Sequence, residues 1–81
     1  MQRNQTKRFV LSAIEDLRDP VDAGLVQVWL DYEYNVSLSD RAVKMSMLRC
    51  HRQGLLSRKG GRYSLSEKGE QRLAWLRSTM Q

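Results

Sequence analysis

Gly60 and Gly61 separate two short runs, LSRK and RYSL. Adjacent glycines can both take positive φ, which a two-residue turn needs if its twist is to match the strands it joins, so this stretch predicts a β-hairpin over residues 55–65. The turn length also sets the register, with Lys59 opposite Arg62, Arg58 opposite Tyr63, Ser57 opposite Ser64 and Leu56 opposite Leu65. Leu56, Arg58, Tyr63 and Leu65 then share one face, and Ser57, Lys59, Arg62 and Ser64 share the other. The first face can rest on helices, with the Arg58 stem along Tyr63. The second is polar, basic and outward.

The chain around this hairpin reads as helix. Phe9, Val10, Ala13, Ile14 and Leu17 recur at three- and four-residue spacing and predict an amphipathic helix over about residues 6–18, stopped by the approach to Pro20. Residues 1–5 and 78–81 read as loose ends. In DPVD, Asp19 reads as an N-cap with Pro20 at the first helical position, which starts a second helix over 20–34. Its apolar residues Val21, Leu25, Val28, Trp29 and Tyr32 share a face that Val26 and Leu30 widen, so the helix is expected to pack between two neighbours. Ser39 caps a third helix over 40–53, with Leu38 placed to close on Val43 and Gly54 at its end. Val43, Met47 and Cys50 form its inner side. Arg41, Met45, Leu48 and Arg52 fall on the opposite side, flanked by Lys44 and Arg49. Ser66 caps a fourth helix over 67–78, with Leu73, Leu76 and Met80 inward and Trp75 well off that side.

An 81-residue chain supports one small core, so a single domain over 1–81 is expected, mainly α with a small β-hairpin. Net charge is +5 and unevenly spread. Residues 1–40 carry four basic and seven acidic side chains, a balance of −3; residues 41–81 carry ten basic and two acidic, a balance of +8. Positive potential concentrated in this way favours a polyanionic partner such as nucleic acid or an anionic membrane, with a merely solvated basic face as the competing reading. No leader segment is read at the start, and the longest apolar run, AGLVQVWL, is too short to span a bilayer, so a cytoplasmic protein is expected. A single cysteine, Cys50, excludes an internal disulfide, and with His51 as the one histidine no zinc ligand set is present. Cys50 reads as a small buried apolar residue, His51 as a boundary residue. No Ser/His/Asp set, paired-carboxylate motif or phosphate-cradling glycine loop appears, so neither enzyme activity nor a cofactor, metal or small-molecule ligand is expected.

The order helix, helix, linker, helix, hairpin, helix resembles a winged helix-turn-helix domain. LSDRAVKMSMLRCHRQGLLSR resembles that family's recognition helix and the opening of its wing, and GRYSLSEKGEQRLAWL resembles the second wing strand and closing helix of small bacterial and archaeal transcription regulators. The linker YNVSL departs from the family in lacking the glycine often found in that turn. The resemblance implies a three-helix core, a two-stranded wing and a C-terminal helix, with the third helix in the major groove of double-stranded DNA. Arg41 and Lys44 are then the candidates for base contacts, since arginine can pair bidentately with guanine. Arg49 and Arg52 are assigned to phosphates, as are Ser37 and Ser39 at the helix start. Met45 and Leu48 are candidates for thymine methyls, although Leu48 can equally pack against the second helix or a partner. Arg58, Lys59 and Arg62 of the wing would meet phosphates or an adjacent minor groove. Lys59 opposite Arg62 is a like-charge pair that phosphate would relieve. A homodimer on a roughly palindromic site is expected, with Trp75 as its candidate interface. The alternative is a winged-helix interaction module that binds protein in a larger assembly.

Overall fold

The second helix begins three residues later than its first start signal. In the computed structural model, which describes residues 3–79 and side chains 5–78, Val21 is extended and pairs with Tyr63. The Val21 N–H donates to the Tyr63 carbonyl and the Tyr63 N–H to the Val21 carbonyl, both at 2.8 Å. Backbone committed to that bridge cannot be helical, so Asp19 and Pro20 open nothing. Asp22 is the cap instead, and its side chain accepts from the Leu25 N–H at 2.9 Å.

The elements are α1 (Arg3–Leu17), α2 (Ala23–Tyr34), α3 (Asp40–Arg52), β1 (Leu56–Lys59), β2 (Arg62–Leu65) and α4 (Glu67–Thr79). The protein is thus mainly helical with one two-stranded antiparallel hairpin. The hairpin register is the one its turn dictates, from Leu56 opposite Leu65 to Lys59 opposite Arg62, with Gly60 and Gly61 at φ of 59° and 78°. Residues 3–5, expected to be loose, extend α1 toward the N-terminus, and residues 78 and 79 belong to α4. The inward position expected for Met80 lies outside the described residues, as do residues 1, 2 and 81.

α1 is the centre of the molecule and packs against α2, α3, α4 and β2. That position explains why burial spreads past its apolar stripe: Leu11 and Ser12 are buried beside Val10, Ala13 and Ile14, while Phe9 and Leu17 are only partly covered. The Arg77 guanidinium of α4 reaches back over α1, donating to the Ser12 hydroxyl at 3.3 Å and pairing with Glu15 at 2.8 Å.

α2 turns a different side inward from the one its strongest stripe suggests. Ala23, Val26 and Leu30 are buried, whereas Leu25, Val28 and Tyr32 are 46%, 64% and 79% exposed. The helix is apolar nearly all round, so periodicity alone does not choose a face. Contact with α1 and α3 chooses it. Trp29, half-buried, donates its indole N–H to the Asp16 carboxylate at 3.2 Å, and the Tyr34 hydroxyl donates to the same oxygen. Asn35 ends the helix with φ of 55°, supplying the left-handed residue that the glycine-free linker needs.

Burial, then the bond to Asp16 and the charge of that carboxylate, push the Tyr34 hydroxyl up to about 12, against a smaller opposing pull from Arg77. The neutral phenol is the form the fold favours, so its contribution is complete below pH 10 and is lost as pH rises through about 12. Urea unfolding of Tyr34→Phe against the parent should therefore show a stability gap that is widest below pH 10 and shrinks toward pH 12. A gap independent of pH over that window would contradict the assignment.

Candidate nucleic-acid interface

α3 is built so that its polar side must face out. Ser39 caps it, accepting from the Ala42 N–H at 3.1 Å, and Val43, Ser46, Met47 and Cys50 are buried. The C-terminal end is closed by the Leu55 N–H on the Cys50 carbonyl at 2.9 Å, with Gly54 at φ of 80° turning the chain into the hairpin. Burial pushes the Cys50 thiol up, with Lys7 opposing, which makes a poor nucleophile of it.

The outward side chains of α3 split between two grooves. Lys44 and Leu48 line one groove with Arg58, Gly61 and Tyr63 of the hairpin. Met45 and Arg49 line another with Thr6 and Lys7 of α1. Arg41, in the first turn, and Arg52, in the last, are exposed. Met45 is 41% exposed, while Leu48 is half-buried against the groove it shares with Ala23 of α2. Ser37 and Ser39 are exposed just ahead of the helix, with the Ser39 oxygen already occupied by its cap bond.

On the hairpin, the Arg58 guanidinium lies over the Tyr63 ring at 5.5 Å, and the His51 ring meets the same tyrosine edge-on at 5.9 Å. Arg58 lines the same groove as Lys44. Lys59 and Arg62 stand opposite each other at the tip, both exposed. Trp75 is not part of this assembly: it lies on α4, 55% exposed, under the Arg72 guanidinium at 5.9 Å.

Two features of the site escaped the sequence reading. Lys44 is bound to Asp40 one turn back at 2.9 Å, which raises the lysine above its usual value. The spacing of four was the available signal. This exposed pair adds little stability, but it places the one acid of α3 against one of the two side chains assigned to bases. Lys7 is the second omission. Its ammonium donates to Gln53 at 3.0 Å and adds a cation from α1 to the groove that holds Arg49. Only the packing of α1 on α3 brings it there. Among the described residues, no cluster of histidine, cysteine and acidic side chains is placed to hold a metal ion, and no helix is long and apolar enough to cross a membrane.

Comparison with known proteins finds no match: no family model fits the chain, no curated sequence is significantly similar to it, and no solved structure matches it.

Proposed function

We propose that this protein binds double-stranded DNA in a sequence-dependent way, as a winged helix-turn-helix transcription regulator acting in the cytoplasm. α3 would enter the major groove and the β1–β2 hairpin would act as the wing. The observation that carries the reading is the groove shared by Lys44 of α3 and Arg58 of the hairpin, with Arg41, Arg52, Lys59 and Arg62 exposed on the same two elements. A helix and a hairpin that bring Lys44 and Arg58 into one groove, beside Asp22, and expose further cations on the same two elements suit a duplex, whose groove accepts the helix while its phosphates flank it. Arg41 has no ion pair among the described residues, so it is the base-reading side chain; Lys44 would exchange Asp40 for DNA. Arg49 and Arg52, now joined by Lys7, would meet phosphates. The reading requires no catalytic step, metal or cofactor.

A mobility-shift titration with random duplex at two salt concentrations tests it. Binding at low salt should weaken steeply as salt rises, by a slope of about 0.9 for each phosphate neutralised. Failure to bind at low salt would remove the proposal. The wing tip gives a second test. Arg62→Gln relieves the repulsion with Lys59 and should stabilise the free domain by about 0.3 kcal/mol, while lowering the salt slope by about 0.9. A variant that is no more stable and binds as tightly as the parent would show that the pair has no part in DNA binding.

A further inference from the structure

The groove between α1 and α3 joins two properties that phosphate binding alone does not need. Its volume of about 520 Å³ is in the range of small-molecule sites. Buried Ser46 and Cys50 form its base, and with Ala42 and Met45 along α3 that surface is largely apolar. Two cations line it, Lys7 of α1 and Arg49 of α3, and no acidic side chain does. Neither cation has a carboxylate partner among the described residues. The Lys7 ammonium has three N–H donors and gives one to a neutral oxygen, that of Gln53 at 3.0 Å. Its charge is felt at the base of the groove: burial pushes the Cys50 thiol up, and Lys7 is the first influence to oppose it.

We infer that this groove is a binding site for a small organic anion with an apolar body, such as an aromatic carboxylate. The carboxylate takes charge-assisted hydrogen bonds from Lys7 and Arg49, and the ring covers Ala42, Met45 and Cys50. A phosphodiester answers the cations but has no group to cover that apolar surface. A neutral apolar molecule covers the surface but leaves the cations unanswered. No sequence motif announces the site, because Lys7 and Gln53 lie 46 residues apart in the chain.

The site has a regulatory consequence. Lys7 and Arg49 are the side chains assigned above to phosphates, so an anion held by both competes with a duplex for the same two cations. Ligand and DNA then weaken each other's binding by the same factor. That consequence rests on the DNA-binding proposal. The site itself does not.

The test begins on the full chain without DNA, with benzoate as the probe and backbone amide NMR shifts as the readout. Benzoate has few atoms, so a dissociation constant on the order of 1–10 mM is expected, with shifts centred on Lys7, Met45, Arg49 and Cys50. Benzamide has the ring without the charge, and inorganic phosphate has charge without the ring; each should bind about tenfold more weakly or worse. Lys7→Gln and Arg49→Gln should each weaken benzoate about tenfold. Arg72→Gln, which removes one charge from the exposed side of α4, should leave it unchanged. No saturable shift, shifts centred elsewhere, benzamide or phosphate binding as well as benzoate, or equal effects of Lys7→Gln and Arg72→Gln would overturn the inference. In a mobility shift at constant ionic strength, benzoate should then weaken duplex binding more than chloride does, and equal effects would remove the regulatory consequence. A parent that binds no duplex would sink the DNA-binding proposal, while the titration would still decide the site.

Discussion

Gly69→Ala should lower the melting temperature by about 10–20 °C, the stability effect of about 2–3 kcal/mol expected for one methyl forced into a packed interior. Gly69 is in the first turn of α4 and is buried. A Cβ there would sit 1.9 Å from the Leu55 carbonyl oxygen and 2.9 Å from its carbon. Both are backbone atoms, so no rotamer change makes room. The same carbonyl accepts the Ser66 N–H at 3.0 Å, while the Ser66 hydroxyl donates to the Gly54 carbonyl and accepts from the Gly69 N–H at 3.0 Å. Pushing Leu55 away therefore parts the base of the hairpin from the start of α4. Alanine gains about 1 kcal/mol of helix propensity over glycine, and the clash exceeds that gain. Gly24→Ala is the internal control. Its Cβ would meet nothing closer than Asp22 Oδ1 at 3.5 Å, so on α2 the propensity gain should appear without the clash. Thermal unfolding of the two variants separates the effects; a Gly69→Ala variant that melts with the parent would show that the close approach is not a constraint.

Arg41→Ala should cost about 1–3 kcal/mol of binding to a preferred duplex and flatten the preference at one base position, while binding to random duplex falls much less. Lys59→Ala should weaken every sequence alike and reduce the salt slope by about 0.9. The difference comes from position. Arg41 is in the first turn of α3, which the proposed geometry puts deepest in the groove, and Lys59 is at the hairpin tip, which that geometry assigns to phosphates or an adjacent minor groove. Selection of bound sequences from a random duplex pool, followed by titration of both variants, checks the division. Equal loss on selected and random duplex for the two variants would contradict it. The spacing and orientation of the selected half-sites would also test the palindrome expected of a homodimer.

The hairpin and α3 were legible in the sequence because their determinants are local. Gly60 and Gly61 dictate a turn, the turn dictates a register, and alternation then places Tyr63 inward and Lys59 and Arg62 outward. Ser39, Asp40 and Gly54 delimit α3, whose polar and apolar sides differ enough for the inner face to be read from spacing. The candidate DNA-facing residues of α3 follow from that face alone. Lys7 does not, since nothing in its neighbourhood of the chain says that α1 lies beside Gln53 and Arg49.

By itself the sequence determined the elements whose signals lie within a few residues: the hairpin and its pairing, the caps of α3 and α4, and the net positive charge of the second half of the chain against the net negative charge of the first. Tertiary structure decided what local signals left degenerate. DPVD holds two good caps, Asp19 and Asp22, and the backbone bridge from Val21 to Tyr63 selects the second by making the residue before it extended. α2 is apolar on two sides, and docking on α1 and α3 buries Ala23, Val26 and Leu30 while leaving Leu25, Val28 and Tyr32 in water. A glycine at position 69 could have been an ordinary helix residue; only the carbonyl of Leu55 lying against it makes it irreplaceable. In each case the deciding contact joins residues far apart in the chain, where spacing carries no information.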